Sequence, residues 1–492
     1  MQNTDDYGSN ILIYNPPSPE GQIIMRSYSG GFGDIEDAEC LENALDIIVF
    51  PPIELLMIAE NLRKGGHRIT FTDYQTQSYV EEKFIKLLKE QHFNLVISSV
   101  SLPTYRNDCN IAALCKRYSQ AKVFIHSSVT YEDFVKEVLH VSGCDAVIFP
   151  NALMDICDII KDFAGRPNVA YLNPHLTMLT QIYIGSMDKY PVAARDLVDN
   201  TNYKFPFMYD CSIPNITTMH SSYGCPYPCH YYCPYPLSEG RQFRALSSKR
   251  VVEELHDIQK KGLKAVIFRD PLFTFDKERV MDICRQIIDL RIDLMWWCET
   301  RIDCLDEELL TTMKEAHCVG IEVGVETGDE TVMINQAKYG LTLNKLYTFK
   351  ELADKIGLHI QYLFMVGLPK ESVRSITKTI KLILDLGLNK NEYNISSITP
   401  YLGTPLYYEA TEKGWITNKW DNFTGYSVVM RTDNLSLEQM RQSHIIIDKL
   451  DKLIQQKGQI PEAAWQEQKN NFISEIDEWS TINADSRSNY LE

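Results

Sequence analysis

Two successive series of short apolar runs, separated by amphipathic stretches, constrain the fold of this chain more than any other feature. The first series predicts buried strands at Asn10–Tyr14, Arg68–Thr72, Leu95–Ser99, Lys122–His126 and Asp145–Phe149. Helical patterns lie between and after these runs. Such alternation is typical of a doubly wound parallel sheet, which binds ligands at the carboxyl ends of its strands. We therefore expect a Rossmann-like α/β domain over residues 1–165.

The alternation is lost over residues 166–215, where several prolines favour a connector, and then begins again. The second series predicts strands at Thr217–Tyr223, Ala265–Phe268, Asp293–Trp297, Val319–Val325, Ile360–Val366 and Glu392–Ile398. Six strand–helix repeats predict a partial (β/α)6 TIM-like barrel over residues 216–405. Residues 406–492 are expected to form a small, mostly helical C-terminal region.

Charge and cysteine content narrow the classes of function. Lys and Arg number 49 and Asp and Glu number 66, so the net charge is −17, which argues against a nucleic-acid partner. No run of about 20 mostly apolar residues predicts a membrane span, and the first ten residues do not resemble a signal peptide. Thirteen cysteines without an export signal are typical of a reducing compartment, so we expect a cytoplasmic protein.

Three of the cysteines form a cluster directly after the first strand of the predicted barrel. Cys225, Cys229 and Cys233 are each separated by three residues. Thiolates select zinc, copper or iron–sulfur clusters, and a cluster held by three cysteines leaves one iron open for a ligand. Structural zinc needs four ligands, and only three cysteines form this cluster. Zinc remains the alternative because His230, His220 or Cys211 would supply the fourth ligand.

A cysteine loop after the first strand of a partial (β/α)6 barrel resembles the radical S-adenosylmethionine (radical SAM) enzymes. Six segments are similar to motifs of that family, in the same order: GCPYPC, FRDPLFTFD, WCETRIDCLDEELLTTMKEAHC, GIEVGVETGDE, FMVGLPKES and ITPYLGTPLY. The resemblance spans residues 10–415 and implies a 4Fe–4S cluster held by the three loop cysteines. It also implies five residues that contact SAM, namely Tyr232, Asp270, Arg301, Gly324 and Glu326.

Enzymes of this kind cleave SAM reductively to a 5′-deoxyadenosyl radical, and the resemblance implies the same activity here. It also implies an external one-electron donor of the flavodoxin or ferredoxin type. One departure concerns the cysteine spacing. The family pattern is C-x3-C-x2-C, whereas this chain has C-x3-C-x3-C, with one additional residue between Cys229 and Cys233.

The N-terminal domain resembles the cobalamin-binding subfamily of these enzymes. The segments FPPIELLMIAENLRKGGHRITFTDY and NLVISSVSLPTY are similar to its motifs, which implies cobalamin contacts from Ser99, Ser101 and Thr104. Two family turns differ. His126-Ser127-Ser128-Val129 stands in place of a Gly-Gly-Pro turn, and Pro150-Asn151-Ala152-Leu153 stands in place of G-E-x-E. A bound cobalamin and a domain that has lost it are therefore both open.

The resemblance implies methylation, or a radical rearrangement or oxidation, at an unactivated carbon of a small metabolite or natural-product intermediate. A cobalamin-independent radical SAM enzyme is the first alternative. A non-catalytic metal-binding scaffold is the second. The substrate itself cannot be inferred from the fold, because substrate contacts come from loops and from the C-terminal segment.

Each of the three loop cysteines is expected to be necessary for the cluster. After anaerobic reconstitution, the wild-type protein should hold about four iron atoms. Cys225→Ala, Cys229→Ala and Cys233→Ala should each lose most of this iron, whereas Cys284→Ala, in a predicted helix, should keep it. Iron analysis measures the outcome. Near-zero iron in the wild-type protein, or a triple alanine variant that keeps its cluster, would contradict the prediction.

Overall fold

The computed structural model describes residues 8–37, 48–181, 185–205, 215–335 and 340–484. Cys211, one of the candidate zinc ligands, lies outside these residues, and the side chain of His230 is not described either. Up to residue 181 the described strands are β1 (Asn10–Asn15), β2 (Gln22–Met25), β3 (Asp34–Asp37), β4 (Arg68–Asp73), β5 (Leu95–Val100), β6 (Lys122–Ser127), β7 (Ala146–Ile148), β8 (Val169–Leu172) and β9 (Leu176–Leu179). The α-helices of this part are α1 (Ile53–Lys64), α2 (Glu81–Glu90), α3 (Tyr105–Tyr118), α4 (Glu132–Ser142) and α5 (Ile156–Ile159).

The first sheet has seven strands in the order β4-β1-β5-β6-β7-β8-β9. The five strands β4, β1, β5, β6 and β7 are parallel, which confirms the predicted doubly wound arrangement. After β1 the chain first builds β4 on one side and then β5 on the other. The order therefore reverses beside β1, which is where open α/β sheets bind ligands.

The sheet continues into the segment for which the sequence predicted a connector. Strand β8 pairs antiparallel with β7, and β9 pairs antiparallel with β8. Both strands are only four residues long, and prolines at 167 and 174 interrupt the apolar pattern on either side of β8. Short strands in a proline-containing segment give little periodic signal, which explains why the sequence did not predict them.

The remaining strands are β10 (Ile216–Met219), β11 (Ser222–Tyr223), β12 (Arg244–Ala245), β13 (Ala265–Phe268), β14 (Met295–Thr300), β15 (Cys318–Glu326), β16 (His359–Val366) and β17 (Tyr393–Ser397). Helices of this part are α6 (Tyr235–Ser238), α7 (Ser248–Lys260), α8 (Lys277–Asp289), α9 (Glu307–Glu315), α10 (Glu330–Asn335), α11 (Leu343–Ile356), α12 (Val373–Asp385), α13 (Pro405–Glu412), α14 (Leu437–Gln455) and α15 (Glu462–Ala484). A second sheet joins six of these strands in the order β10-β13-β14-β15-β16-β17. This confirms the predicted partial barrel and the helical C-terminal region.

Local sequence explains where many of these helices begin. Seven N-cap side chains accept a hydrogen bond from the third backbone N–H of their helix, which satisfies a donor that the helix itself leaves free. These residues are Ser247, Asp276, Asp306, Thr342, Ser372, Thr404 and Ser436. Each cap residue directly precedes its helix and so determines the residue at which the helix begins.

The described chain packs as two compact units. The first comprises residues up to Pro226, together with Cys233–Pro271 and Arg291–Met295, and the second comprises Tyr227–Tyr232, Leu272–Leu290 and residues from Trp296 onward. In the second unit, close packing between β14 and β15 depends on Gly320. A Cβ at this position would lie 2.0 Å from Cζ3 of Trp297, which is fully buried. None of the described helices combines the length and apolar character needed to cross a bilayer.

A buried arginine of the connector, Arg195, forms an ion pair with α7 and hydrogen bonds with β10. Arg195 is almost fully buried, and its Nη1 lies 2.9 Å from Glu254 Oε1 on α7. The same guanidinium donates to Thr217 Oγ1 at 3.0 Å and to the carbonyl oxygen of Thr218 at 2.9 Å. These acceptors are buried inside the protein. Removal of the Arg195 guanidinium would therefore leave them without their hydrogen-bond donor.

Arg195→Ala is expected to lower the free energy of unfolding by about 3 kcal/mol, because the buried acceptors on Thr217, Thr218 and Glu254 lose their donor, although Glu254 keeps its second ion pair with Arg250. The matched control is Arg63→Ala. Arg63 forms ion pairs with Glu60 and Asp196 but is well exposed, so its loss should cost less than about 1 kcal/mol. Urea unfolding followed by circular dichroism measures both values. Equal shifts for the two variants would contradict the prediction.

Candidate active site

The cysteine loop begins at a glycine that close backbone packing requires. Gly224 has a φ of +80°, and a Cβ at this position would lie 2.2 Å from the carbonyl oxygen of Gln242. The N–H of Gly224 donates to Glu239 Oε2 at 2.9 Å, and the N–H of Cys225 donates to the carbonyl oxygen of Gly240 at 3.2 Å. The first thiol of the loop is therefore buried against the segment that follows the loop.

A buried carboxylate fixes the chain in front of this loop. Asp270 follows β13 and accepts hydrogen bonds from Ser221 N–H at 2.6 Å, Ser221 Oγ at 2.6 Å and Ser222 Oγ at 2.7 Å. Hydrogen bonds to an ionised acceptor are about twice as strong as neutral ones. Both oxygens of Asp270 are thus engaged by the two serines. Its predicted contact with the amino group of SAM stays a prediction.

In the second unit, the middle of the loop is held by Tyr227. The guanidinium of Arg301 lies 4.0 Å from the centroid of the Tyr227 ring, an arrangement stabilised by cation–π attraction. Tyr227 Oη lies 3.4 Å from Cys304 Sγ, and the ring of Phe275 packs edge-on at 6.3 Å. These partners are distant from Tyr227 in the sequence, so no local pattern predicts the contacts. They anchor the residues that lead into Cys229.

Arg301 is buried directly after β14, and its predicted contact with SAM stays a prediction. Its Nε and Nη2 donate to the carboxylate of Asp303 at 2.8 and 2.9 Å. Its Nη1 is buried and has no hydrogen-bond partner among the described residues. A buried donor without an acceptor is unfavourable. The carboxylate of SAM would supply the missing acceptor, so Arg301 fits this ligand.

Two further predicted SAM contacts lie on β15. Gly324 is half-buried, and Glu326 is buried at the end of the strand with a φ of +73°. A bulge between these two residues shifts the register with β16. Non-glycine residues with positive φ are uncommon, and such strain is concentrated at functional sites. Tyr232, the fifth predicted contact, is buried, and its N–H donates to the carbonyl oxygen of Cys229 at 3.2 Å.

The loop cysteines have the donor chemistry of an iron–sulfur cluster, and none of the three forms a disulfide. Cys225 is buried, whereas Cys229 and Cys233 are half-buried. Within the described ranges, no three Cys, His, Asp or Glu side chains already form a group that could hold a metal ion. His220, a candidate zinc ligand, stacks on Tyr223 at 5.1 Å, and burial lowers its pKa to about 3. Ligation by the three thiols stays a prediction.

A small cavity lies at the carboxyl edge of the first sheet, beside β1 and β5. This is the ligand position that the strand order predicts. Its polar walls are formed mainly by Asn15, Arg26, Gln75, Ser99, Ser101 and His126. Two of the three predicted cobalamin contacts, Ser99 and Ser101, therefore line the cavity. Thr104 does not.

The predicted hydroxyls already have partners within the chain. Arg26 Nη1 donates to Ser101 Oγ at 3.0 Å, to Thr104 Oγ1 at 3.4 Å and to Asp108 Oδ2 at 2.7 Å. Ser99 Oγ donates to Asn15 Oδ1 at 3.2 Å. Their contacts with cobalamin stay a prediction. Arg26 was not anticipated, because nothing in its local sequence indicates that it reaches α3.

A glycine-rich turn after β2 lies close to the same edge. A Cβ on Gly31 would lie 2.3 Å from Ser128 Oγ, and a Cβ on Gly33 would lie 2.8 Å from Ser101 Cβ. The cavity is also lined by two titratable groups for which the sequence predicted no role. His126 is buried, its pKa is lowered by burial to about 4, and its Nε2 has no hydrogen-bond partner among the described residues. Burial raises the pKa of Glu54 to about 7.

The profile of the Radical SAM superfamily matches residues 219–383, which include the whole cysteine loop and the strands β13 to β16. The chain is a radical SAM enzyme. It therefore uses a 4Fe–4S cluster and SAM, as the sequence predicted, and a non-catalytic scaffold is excluded. Because this family uses a 4Fe–4S cluster, the zinc alternative is removed, while ligation by the three loop cysteines remains a prediction.

Relatives of this radical SAM enzyme match it well beyond that segment. An uncharacterized methyltransferase from Pyrococcus horikoshii is 29% identical over 402 residues, which are 79% of this chain and 85% of that protein. The hopanoid C-3 methylase of Methylococcus capsulatus is 25% identical over 396 residues, 75% of this chain and 70% of that protein. Both relatives are named for methyl transfer.

Two solved structures share the fold of the radical SAM enzyme described here. OxsB with aqua-cobalamin bound has a TM-score of 0.68 at 13% identity and covers 97% of this chain and 72% of its own. TsrM from Kitasatospora setae, with cobalamin and a 4Fe–4S cluster bound, has a TM-score of 0.63 at 14% identity and covers 82% of this chain and 75% of its own. At these identities the similarity establishes the architecture alone.

The buried carboxyl group of Glu371, after β16, makes stability depend on pH. It accepts hydrogen bonds from the N–H groups of Gly367 and Leu368, and burial raises its pKa from 4.5 to about 8. Between these values the unfolded chain ionises Glu371 while the folded protein keeps it protonated. The free energy of unfolding should therefore fall as pH rises from about 4.5 to 8.

Glu371→Gln removes this titration and is expected to reduce the loss of stability between pH 5 and pH 8. Unfolding midpoints at the two pH values measure the difference. Glu351→Gln, an exposed position on α11, is the matched control and should leave the pH dependence unchanged. An equal loss of stability in Glu371→Gln and wild type would contradict the predicted protonation.

Proposed function

We propose that this radical SAM enzyme transfers a methyl group to an unactivated carbon of a small molecule, and that it binds cobalamin at the carboxyl edge of its first sheet. The cavity beside β1 and β5 carries this proposal. Three buried polar atoms of its lining, His126 Nε2, Arg26 Nε and Ser27 Oγ, have no hydrogen-bond partner among the described residues. A polar ligand would satisfy such groups, whose burial is otherwise unfavourable.

The comparisons support methylation over rearrangement or oxidation. The relatives matched over most of this chain carry names of methyltransferases and methylases. The two solved structures compared above, TsrM and OxsB, contain cobalamin. The shared architecture includes the first sheet, where this chain has its cavity. Both observations favour the same reaction class.

The chain's own residues have distinct tasks in this proposal. When bound, the cofactors supply the chemistry: an adenosyl radical for hydrogen abstraction and a methyl group for transfer. Cys225, Cys229 and Cys233 would hold the cluster, and Arg301 would bind the carboxylate of SAM through Nη1. The burial of Tyr232 and Glu326 would keep water from the reacting groups.

A cobalamin-independent enzyme is the second candidate, and one observation favours it. Arg26 already pairs with Asp108 and donates to Ser101 and Thr104, so two of the predicted cobalamin contacts are satisfied without a ligand. The first sheet would then have a structural role. Reconstitution with the cofactor separates the two candidates.

We further propose that the substrate is a small molecule and that a flavodoxin- or ferredoxin-type protein supplies the electron, with the cytoplasm as the compartment. The strongly negative charge supports the exclusion of nucleic acid, because phosphate contacts need clustered Lys and Arg. Relatives such as the hopanoid C-3 methylase have small-molecule substrates in their names. These proposals are independent of the cobalamin question.

Cobalamin retention tests the proposed function. After anaerobic reconstitution with hydroxocobalamin and desalting, the wild-type protein should show corrin absorbance. His126→Phe should lower retention about tenfold or more, because it removes a buried polar atom and fills part of the cavity. His92→Phe, an exposed position before β5, is the matched control and should retain cobalamin like wild type.

Incubation of the reconstituted protein with SAM and dithionite should release 5′-deoxyadenosine, and mass spectrometry of candidate metabolites should detect products heavier by one methylene. Release of 5′-deoxyadenosine without any corrin absorbance would favour the cobalamin-independent candidate. Rearranged or oxidised products of unchanged carbon number would contradict methyl transfer.

A further inference from the structure

The additional residue in the cysteine loop lies in a segment that the C-terminal region holds in place. Residues Pro228–Tyr231 form a 3-10 turn that contains Cys229 and most of the longer second spacer. The side chain of Tyr231, the second residue after Cys229, is half-buried. Its hydroxyl donates a short hydrogen bond to Glu409 Oε2 on α13.

Glu409 is itself held by a network of charged and aromatic side chains. Its Oε1 lies 2.9 Å from Lys413 Nζ, and Lys413 also lies 3.1 Å from Asp433 Oδ2. Asp433 Oδ1 accepts a hydrogen bond from Trp415 Nε1 at 2.9 Å, and the ammonium of Lys413 lies 4.5 Å from the Trp415 ring centroid. Trp415 is buried and therefore holds Asp433 and Lys413 in defined positions.

The electrostatics favour an ionised acceptor at this contact. The hydrogen bonds from Lys413 and Tyr231 lower the pKa of Glu409. Glu409 is therefore a carboxylate acceptor around neutral pH, and the Tyr231 hydroxyl donates to it. Hydrogen bonds of this charge-assisted type are among the stronger ones in proteins.

Two tyrosines thus secure the loop on either side of Cys229 within the second unit. Tyr227 is held by Arg301 and Cys304 before the cysteine, and Tyr231 is held by Glu409 after it. A longer spacer has more conformational freedom than a shorter one, and an ordered contact removes that freedom. The contact of Tyr231 lies in the spacer that is one residue longer than the family pattern.

We propose that the Tyr231–Glu409 hydrogen bond is a positioning contact that sets the orientation of Cys229 and of the following spacer, and so compensates for the additional residue of the C-x3-C-x3-C loop. Neither residue is a ligand of the cluster. Their effect passes through the loop backbone to the geometry in which the cluster meets SAM. The proposal rests on the cluster and SAM and is independent of cobalamin.

The test uses the reconstituted full-length enzyme with four variants of the contact: Tyr231→Phe, Glu409→Ala, Glu409→Gln and the double variant Tyr231→Phe/Glu409→Ala. All should keep wild-type iron content, because the three thiols are intact. Tyr231→Phe and Glu409→Ala should lower the rate of 5′-deoxyadenosine formation from SAM and dithionite by about fivefold to tenfold, since one charge-assisted hydrogen bond is lost. Glu409→Gln keeps an acceptor oxygen and should retain an intermediate rate.

Two further readouts separate positioning from a general structural effect. The electron paramagnetic resonance spectrum of the reduced cluster should respond to SAM differently in Tyr231→Phe than in wild type. The double variant should be no slower than the slower single variant, because both substitutions remove the same contact. Glu412→Gln and Tyr408→Phe, exposed positions on the same helix, are the matched controls and should behave like wild type.

Three outcomes would overturn the proposal. The first is a rate and a spectrum in Tyr231→Phe that equal those of Glu412→Gln. The second is loss of iron in Tyr231→Phe to the level of Cys229→Ala, which would mean that the contact is needed to hold the cluster rather than to orient it. The third is a multiplicative effect in the double variant, which would show that the two side chains act separately.

Discussion

The hydrogen bonds between Asp270 and the two serines after β10 are the interaction on which the catalytic half of the protein depends. One buried carboxylate at the end of the second barrel strand binds the backbone and side chain of Ser221 and the side chain of Ser222. The chain therefore leaves the first strand in one defined direction, and Gly224 then turns it against the segment that follows the loop. A carboxylate buried this deeply is stable only when its oxygens are hydrogen-bonded. The serines meet that need, and the cysteine loop starts from a rigid base.

Both carboxyl edges of this molecule contain buried polar atoms without a hydrogen-bond partner among the described residues. At the edge of the second sheet this atom is Arg301 Nη1, and Glu326 has a strained backbone. At the edge of the first sheet, the pairing of Arg26 with Asp108 satisfies several groups, whereas His126 Nε2 has no such partner in the described part of the chain. Unsatisfied buried groups are rare in folded proteins. Such atoms occur at both edges, where α/β folds bind ligands. This agrees with the binding of cofactors at these edges.

Much of this architecture could be predicted from periodicity, because buried parallel strands form continuous apolar runs. The strands β1, β4, β5 and β6 were predicted with their correct starts, while β8 and β9 were missed because each has only four residues beside a proline. Strand β14 ends three residues later than predicted, since Glu299 and Thr300 interrupt its apolar pattern without ending the strand. The cysteine loop was found because thiols at fixed spacing carry their chemistry in the sequence. The contact of Tyr231 with Glu409 spans 178 residues, and no local pattern encodes such a pairing.

The departures from family motifs are best understood together with the contacts that surround them. His126-Ser127-Ser128-Val129 stands in place of the family's Gly-Gly-Pro turn, and Gly31 brings the backbone of another turn close to Ser128. Because Gly31 has no side chain, the Ser128 side chain can occupy the space beside it. In the cysteine loop, the hydrogen bond from Tyr231 to Glu409 compensates for the additional residue, and Lys413 holds Glu409 in place. A motif that deviates in sequence can therefore keep its geometry when a distant side chain supplies the constraint that the shorter motif provides by its length.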